Sequence, residues 1–153
     1  MANIVFNIAK GRVVEYYNRV KSNDPANSAL ILIPIETSGL ESDATLIDKD
    51  DVAALVAGAT NEQTTMGRKT LTDSDLAAFP APDDTNDRYE VSLPTVTWTA
   101  ATGNAISKIV VAYDSDTTSG ADANIIPLTM FDCAITPDGS DVQLTGAVFF
   151  RAS

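Results

Sequence analysis

Thr95–Ser153 reads TVTWTAATGNAISKIVVAYDSDTTSGADANIIPLTMFDCAITPDGSDVQLTGAVFFRAS. Apolar runs of strand length are separated here by turn chemistry at short intervals, which predicts an antiparallel β-meander. Val96, Trp98 and Ala100 alternate with Thr95, Thr97 and Thr99, the pattern of a half-buried strand. Thr102-Gly103-Asn104 has the composition of a hairpin loop. Ile106–Tyr113 is apolar on both faces and predicts the central strand. After a long turn at Asp114–Asn124, Ile125–Ile135 forms another strand region, with Pro127 near its start. A proline-initiated turn at Thr136–Gly139 leads to a last strand carrying Val142, Leu144, Gly146, Val148 and Phe150 on one face. With Tyr89–Leu93 added upstream, residues 89–153 make the expected meander core.

The first part of the chain is more mixed. Asn3–Ile8 alternates, with Ile4, Phe6 and Ile8 on one face, and predicts a strand or extended arm. Val13, Tyr16, Tyr17 and Val20 fall on one helical face, and Pro25 disfavours helix at Asp24. Residues 1–22 are thus expected to form a basic arm or helix, although the valines and tyrosines would also suit a strand. Ala29–Ile35 is apolar throughout and predicts a strand covered on both faces. Pro34 requires that strand to lie near an edge or to be bulged there. Asp48 or Asp50 is expected to cap a short helix over Asp51–Gly58, and Asp73 or Ser74 to start a helical turn through Phe79. The expected fold is mainly β, an antiparallel sandwich or barrel, with two or three short helices in the N-terminal half of a single domain over residues 1–153.

Composition narrows the chemistry. Histidine is absent, which excludes Ser-His-Asp and Cys-His nucleophiles and imidazole-dependent zinc sites. The single cysteine, Cys133, allows no internal disulfide and reads as a small hydrophobe between Phe131 and Ile135. The opening residues carry no signal-peptide pattern, and no apolar run reaches bilayer length. The net charge is −11, divided as +3 over residues 1–22 and −14 over the remainder. An acidic body repels nucleic acid and anionic membranes, so neither is expected as a partner. The candidate partner-contact residues are the basic Lys10, Arg12 and Arg19, with the adjacent pair Arg68 and Lys69. Solvated charges on a helix face or loop are the plainer reading of the same residues.

Other motifs fail on spacing. The acidic stretch Asp114–Asp122 offers three carboxylates, but counted as a calcium loop it has Ser119 where glycine belongs and Ile125 where glutamate belongs. It reads as a solvated turn. Neither a phosphate-cradling glycine motif nor a distinctive carboxylate pair occurs, and no catalytic, cofactor or metal site is expected. Trp98, in an alternating strand, reads as core, and so does the Tyr16-Tyr17 pair.

Several blocks carry a likeness: ATNEQTTMGRKTLTDSDLAA, PAPDDTNDRYEV, the run from YDSDTTSGAD through ITPDGSD, and the closing FFRAS. With AKGRVVEYYNRVKSNDPANSALILIPI at the N-terminal end, they resemble a family of small tailed-bacteriophage virion structural proteins across nearly the whole chain. The resemblance implies a capsid decoration (cement) protein, without catalytic residues. Such a protein is assembled in the host cytoplasm onto the outer surface of the head shell, with the major capsid protein as partner and a homotrimer as the working unit. Two alternatives stay open: a head-tail connector or tail protein, and a carbohydrate-binding virion appendage. The last would need Trp98 and Tyr113 exposed.

Overall fold

A computed structural model describes residues 3–152; Met1, Ala2 and Ser153, the ends of the expected domain, lie outside the described residues. In chain order the elements are β1 (Asn3–Val5), a 3-10 turn (Asn7–Ala9), α1 (Val13–Lys21), β2 (Ala29–Glu36), α2 (Asp43–Leu46), α3 (Val52–Val56) and β3 (Lys69–Leu71). There follow β4 (Pro82–Asp83), β5 (Arg88–Ser92), β6 (Val96–Trp98), β7 (Ile106–Asp114), a second 3-10 turn (Asp122–Asn124), β8 (Ile126–Ile135), β9 (Val142–Leu144) and β10 (Val148–Ala152). The fold is mainly β and sandwich-like, with antiparallel sheets ordered β1-β8-β7-β2-β3, β10-β5-β4 and β6-β9.

The five-stranded sheet is the middle layer, because β2 and β7 are apolar on both faces and each face must be covered. Leu30, Leu32, Ile109, Val111, Leu128 and Phe131 pack towards α1 and the two smaller sheets. Ile31, Ile33, Val110 and Met130 pack towards Phe6, Leu46, Val52 and Leu55. Helix α1 covers its side with Val13, Tyr16, Tyr17 and Val20, the four residues that share one face by helical spacing. The two helices on the other side are each about one turn long and depend on their caps. Ser42 accepts from the Thr45 amide and Asp51 from the Ala54 amide. The cap of α3 is therefore Asp51, not Asp48 or Asp50.

The C-terminal strands do not form a meander. Among the described strands from β5 onward, only β7 and β8 are both consecutive and paired; β6 pairs with β9, and β5 with β10. Throughout these three nested ladders, residues equidistant from Gly120 face each other to within one position: Val110 with Met130, Val96 with Leu144, Glu90 with Arg151. Arg88–Ala152 is thus one long β-ribbon whose inner part lies in the middle sheet and whose outer parts fold over it. The loop at Thr102–Asn104 crosses between layers and joins no paired strands. The cause is the change in patterning between β6, buried on one face, and β7, buried on both. The expected last strand is likewise divided at Thr145–Ala147. A bulge between Val148 and Phe150 shifts the alternation, so Phe149 is fully buried and Phe150 only partly.

Two N-terminal expectations also change. After β1 the chain turns into the 3-10 segment, which leaves Ile8 exposed while Phe6 is buried. Asp73–Asp75 forms a single turn, with the Asp75 and Leu76 amides donating to the Thr72 carbonyl, and no helix follows.

Pro34 behaves as its chemistry demands. Its carbonyl accepts from the Gln63 amide at 2.9 Å, and a strand residue's N and C=O point the same way, so its missing N–H faces away from β7. β3 pairs with β2 only at Leu30, Ile31 and Leu32. Between Gln63 and Lys69 the neighbouring chain loops out instead. The Gln63 side chain holds that loop: its Oε1 accepts from the Thr65 and Met66 amides, and its Nε2 donates to the Asn104 carbonyl at 2.8 Å. Gly103 makes this approach possible, since a Cβ there would lie 2.2 Å from Gln63 Nε2. Trp98, fully enclosed, donates its Nε1 proton to the Gly67 carbonyl at 2.8 Å and ties the same loop to β6. Trp98→Ala should therefore lower the unfolding free energy by about 3–5 kcal/mol, whereas Thr99→Ala on the exposed side should change it by less than about 0.5 kcal/mol. Urea titration followed by far-ultraviolet circular dichroism measures both.

Candidate docking surface

Because α1 buries one face, Arg12, Glu15 and Arg19 share the exposed one, three and four residues apart. Glu15 accepts from both guanidinium groups, from Arg12 Nε at 3.0 Å and Arg19 Nε at 3.0 Å. Those hydrogen bonds, from Arg12 first and then Arg19, hold the Glu15 carboxyl below its ordinary range. At this exposure the ion pairs add little stability. Their effect is to orient two cations on a helix face. The Arg12 guanidinium also lies 4.6 Å from the Tyr16 ring centroid, and Tyr16 packs against Tyr113 with centroids 4.6 Å apart. Lys10 is exposed in the turn before the helix and makes no ion pair among the described residues. Lys21 turns inward, donating to the carbonyls of Asp73 and Leu76 at 2.9 and 3.0 Å.

The structure places Lys10 and Arg12 just before α1 and Arg19 in its last turn, and it turns Arg68 to other partners. Arg68 is committed to an internal clamp. It makes two-pronged contacts with Glu62 (2.8 and 2.6 Å) and with Asp122 (2.6 and 2.9 Å). Hydrogen bonding to Glu62 and then Asp122 raises the Arg68 pKa despite burial, and the bond from Arg68 lowers that of Asp122. Lys69 is half-buried on β3, with its ammonium 6.0 Å from the Trp98 ring centroid. Of the five basic residues expected at a partner contact, three lie on an accessible surface with their charges outward.

The acidic stretch is more structured than a solvated turn. Asp114 is 6% exposed and accepts from the Asp116 amide; Asp116 accepts from the Thr118 amide and hydroxyl; Asp122 is held by Arg68. Among the described residues, no group of three or more Asp, Glu, Cys or His side chains is placed to hold a metal ion. Lys108 is 7% exposed on β7 and bridges Asp132 at 2.6 Å and Asp43 at 3.0 Å, pinning the start of α2 to the sheet. Burial pulls its pKa down, but the hydrogen bonds to Asp132 and Asp43 outweigh this and hold it above the usual value. Cys133 is half-buried on β8, where desolvation pushes its thiol up and away from reactivity. Trp98 and Tyr113 are 2% and 4% exposed, so neither presents a ring face to a sugar.

Two features beside α1 were not read from the sequence. One is an apolar cavity of about 410 Å³ lined by Gly11, Val13, Val14, Tyr89, Phe150 and Ala152. Lys10 and Arg12 flank Gly11 in the chain, and neither is among the lining residues. The other is Phe79, 55% exposed in the loop before β4. Its signal was a lone aromatic residue set in alanine and proline with no periodic apolar partner. The cavity had none, because its lining comes from three separate stretches of chain.

Comparison with protein families, with curated proteins and with solved structures yields no match.

Arg68→Met should destabilise the protein by about 1.5–3 kcal/mol at neutral pH, because it strands the Glu62 and Asp122 carboxylates. Asp122 has a folded pKa below its unfolded value of about 3.9. Its contribution is therefore present above that value and lost as pH falls through the folded pKa. The stability gap between wild type and Asp122→Asn should hold from neutral pH down to about pH 5 and close below about pH 4, as read by urea titrations across that range.

Proposed function

We propose that this protein is a structural component of a tailed-bacteriophage virion, a decoration protein that binds the outer surface of the head shell. The feature that carries the docking part of this reading is the exposed Lys10 with Arg12 and Arg19, the two arginines oriented by Glu15, on an otherwise strongly acidic chain. The virion setting is supported by the sequence blocks that resemble that family. A rigid middle sheet, buried on both faces, suits a protein whose work is adhesion rather than turnover.

The mechanism is linkage. A protein that binds the assembled shell of the major capsid protein, but not its separated subunits, stabilises the shell by mass action. Repetition of the same contact over a symmetric particle multiplies the effect, particularly where one oligomer bridges several shell subunits. The oriented arginines would meet acidic side chains on the shell and raise the rate of encounter at low salt.

Neutralising the stripe as Arg12→Gln with Arg19→Gln should leave the fold intact and lower occupancy on particles lacking the protein, with an apparent affinity loss of about tenfold or more. The residual binding should also depend less steeply on salt than that of wild type. Unchanged occupancy of both proteins across a salt series would remove α1 from the contact.

A further inference from the structure

The small sheet β10-β5-β4 carries a row of side chains that the core does not use up. Pro82, Tyr89 and Ala152 are direct cross-strand partners, so they share one face, and Phe150, two residues before Ala152, lies on the same side. Pro82 and Ala152 are exposed, while Tyr89 and Phe150 are half-buried. Val13 and Val14 of α1 flank this row and enclose with it the apolar cavity beside the helix. Pro82, Tyr89 and Ala152 also line a second, open cavity of about 450 Å³, together with Asp83, Asp84, Asp87 and Arg88 of the β4–β5 hairpin. The two cavities thus form one groove across Tyr89 and Ala152, apolar towards α1 and acidic towards the hairpin.

The halves differ in what they leave unsatisfied. In the acidic half three carboxylates stand against one guanidinium, and Arg88 is already engaged by Asp83 at 3.1 Å and Glu90 at 3.5 Å. Asp84 and Asp87 are exposed and form no ion pair among the described residues. In the apolar half an added Cβ at Gly11 would meet nothing within 4 Å, so the groove is open there. Phe79, 55% exposed, directly precedes Pro80, whose carbonyl accepts from the Tyr89 hydroxyl at 2.9 Å, and adds apolar surface beside the groove.

We propose that this groove docks a short segment of a partner protein in which large apolar side chains stand next to Lys or Arg. The apolar side chains fill the cavity beside α1, and the basic ones pair with Asp84 and Asp87. Charge selects the occupant, because carboxylates repel nucleic acid and anionic lipid, and a chain of net charge −11 repels further copies of itself. Shape selects a polypeptide. A groove open along its length leaves a small ligand half exposed, whereas a chain lying across Tyr89 and Ala152 uses both halves. The inference does not rest on the shell reading, and Arg12 and Arg19, the arginines of that reading, do not line the groove.

Fluorescence anisotropy on the full chain at low salt tests this, with labelled peptides carrying the cores Leu-Leu-Lys-Lys, Leu-Leu-Glu-Glu and Ser-Ser-Lys-Lys. Wild type should bind the first with a Kd of about 10–300 μM, and the other two about tenfold more weakly or worse. Ala152→Trp, at an exposed position on the groove floor, should lower affinity about tenfold or more with an unchanged circular dichroism spectrum. Asp84→Lys with Asp87→Lys should reverse the charge preference, so that the Leu-Leu-Glu-Glu peptide binds more tightly than the Leu-Leu-Lys-Lys one. A merely structural effect produces no such reversal. Wild type that binds none of the peptides, equal binding of the Ser-Ser-Lys-Lys peptide, indifference to Ala152→Trp, or an unreversed preference would each overturn the proposal. So would a wild-type oligomer in sedimentation velocity that Ala152→Trp dissociates, since the occupant is then a second copy. Particle occupancy retained by a protein that binds none of the peptides would overturn this proposal alone and leave the shell reading in place.

Discussion

In the ribbon from Arg88 to Ala152, residues equidistant from Gly120 face one another, and the other layers are arranged around that register. A slip of one position turns every side chain of a strand to the opposite face. In β7 and β8 such a slip would exchange apolar for apolar over much of the length, since both faces are buried, so these strands discriminate weakly. The outer ladders discriminate strongly. Between β6 and β9, Trp98 and Val142 point inward while Thr97 and Gln143 point out and hydrogen-bond to each other at 3.2 Å. A slip there would bury the polar pair and expose the tryptophan. The central strands thus supply buried area, and the alternating ones supply its uniqueness.

The second constraint is the irregular stretch from Ala59 to Arg68. It carries little secondary structure, yet three of its residues tie distant parts of the chain together: Gln63 to the crossing loop at Asn104, Gly67 to Trp98, and Arg68 to the 3-10 turn at Asp122. Pro34 is the local reason it loops out, because the adjoining strand edge offers no amide at that point. Buried polar side chains such as Gln63 specify a single arrangement because leaving any of their groups unpaired is costly.

Much of the fold was legible in the sequence wherever patterning answers to burial alone. β2, α1 and β7, with their buried residues, follow from apolar periodicity, and the break in pairing beside Pro34 follows from proline's missing donor. Pairing between strands far apart in sequence was not legible. Local alternation in Thr95–Trp98 and in Val142–Leu144 is the same whether they meet their sequence neighbours or each other. The roles of Arg68 and Lys21 were hidden for the same reason. A basic residue next to Lys69 or at the end of α1 looks solvated until the fold brings Glu62 and Asp122, or the carbonyls of Asp73 and Leu76, within reach. At the candidate site, Lys10, Arg12 and Arg19 could be named from charge alone, whereas the apolar cavity beside α1 required tertiary structure.

Under the proposed role on the phage head, that cationic helix would adhere to a symmetric particle, with specificity arising from an oriented charge pattern on a scaffold that need not move. A cryo-electron-microscopy map of the virion tests this most directly. The account predicts density for this chain on the outer surface of the head, repeated over the shell lattice, with α1 and its arginines turned towards the major capsid protein. Density confined to the neck or tail, or a head surface bare of this chain, would contradict it.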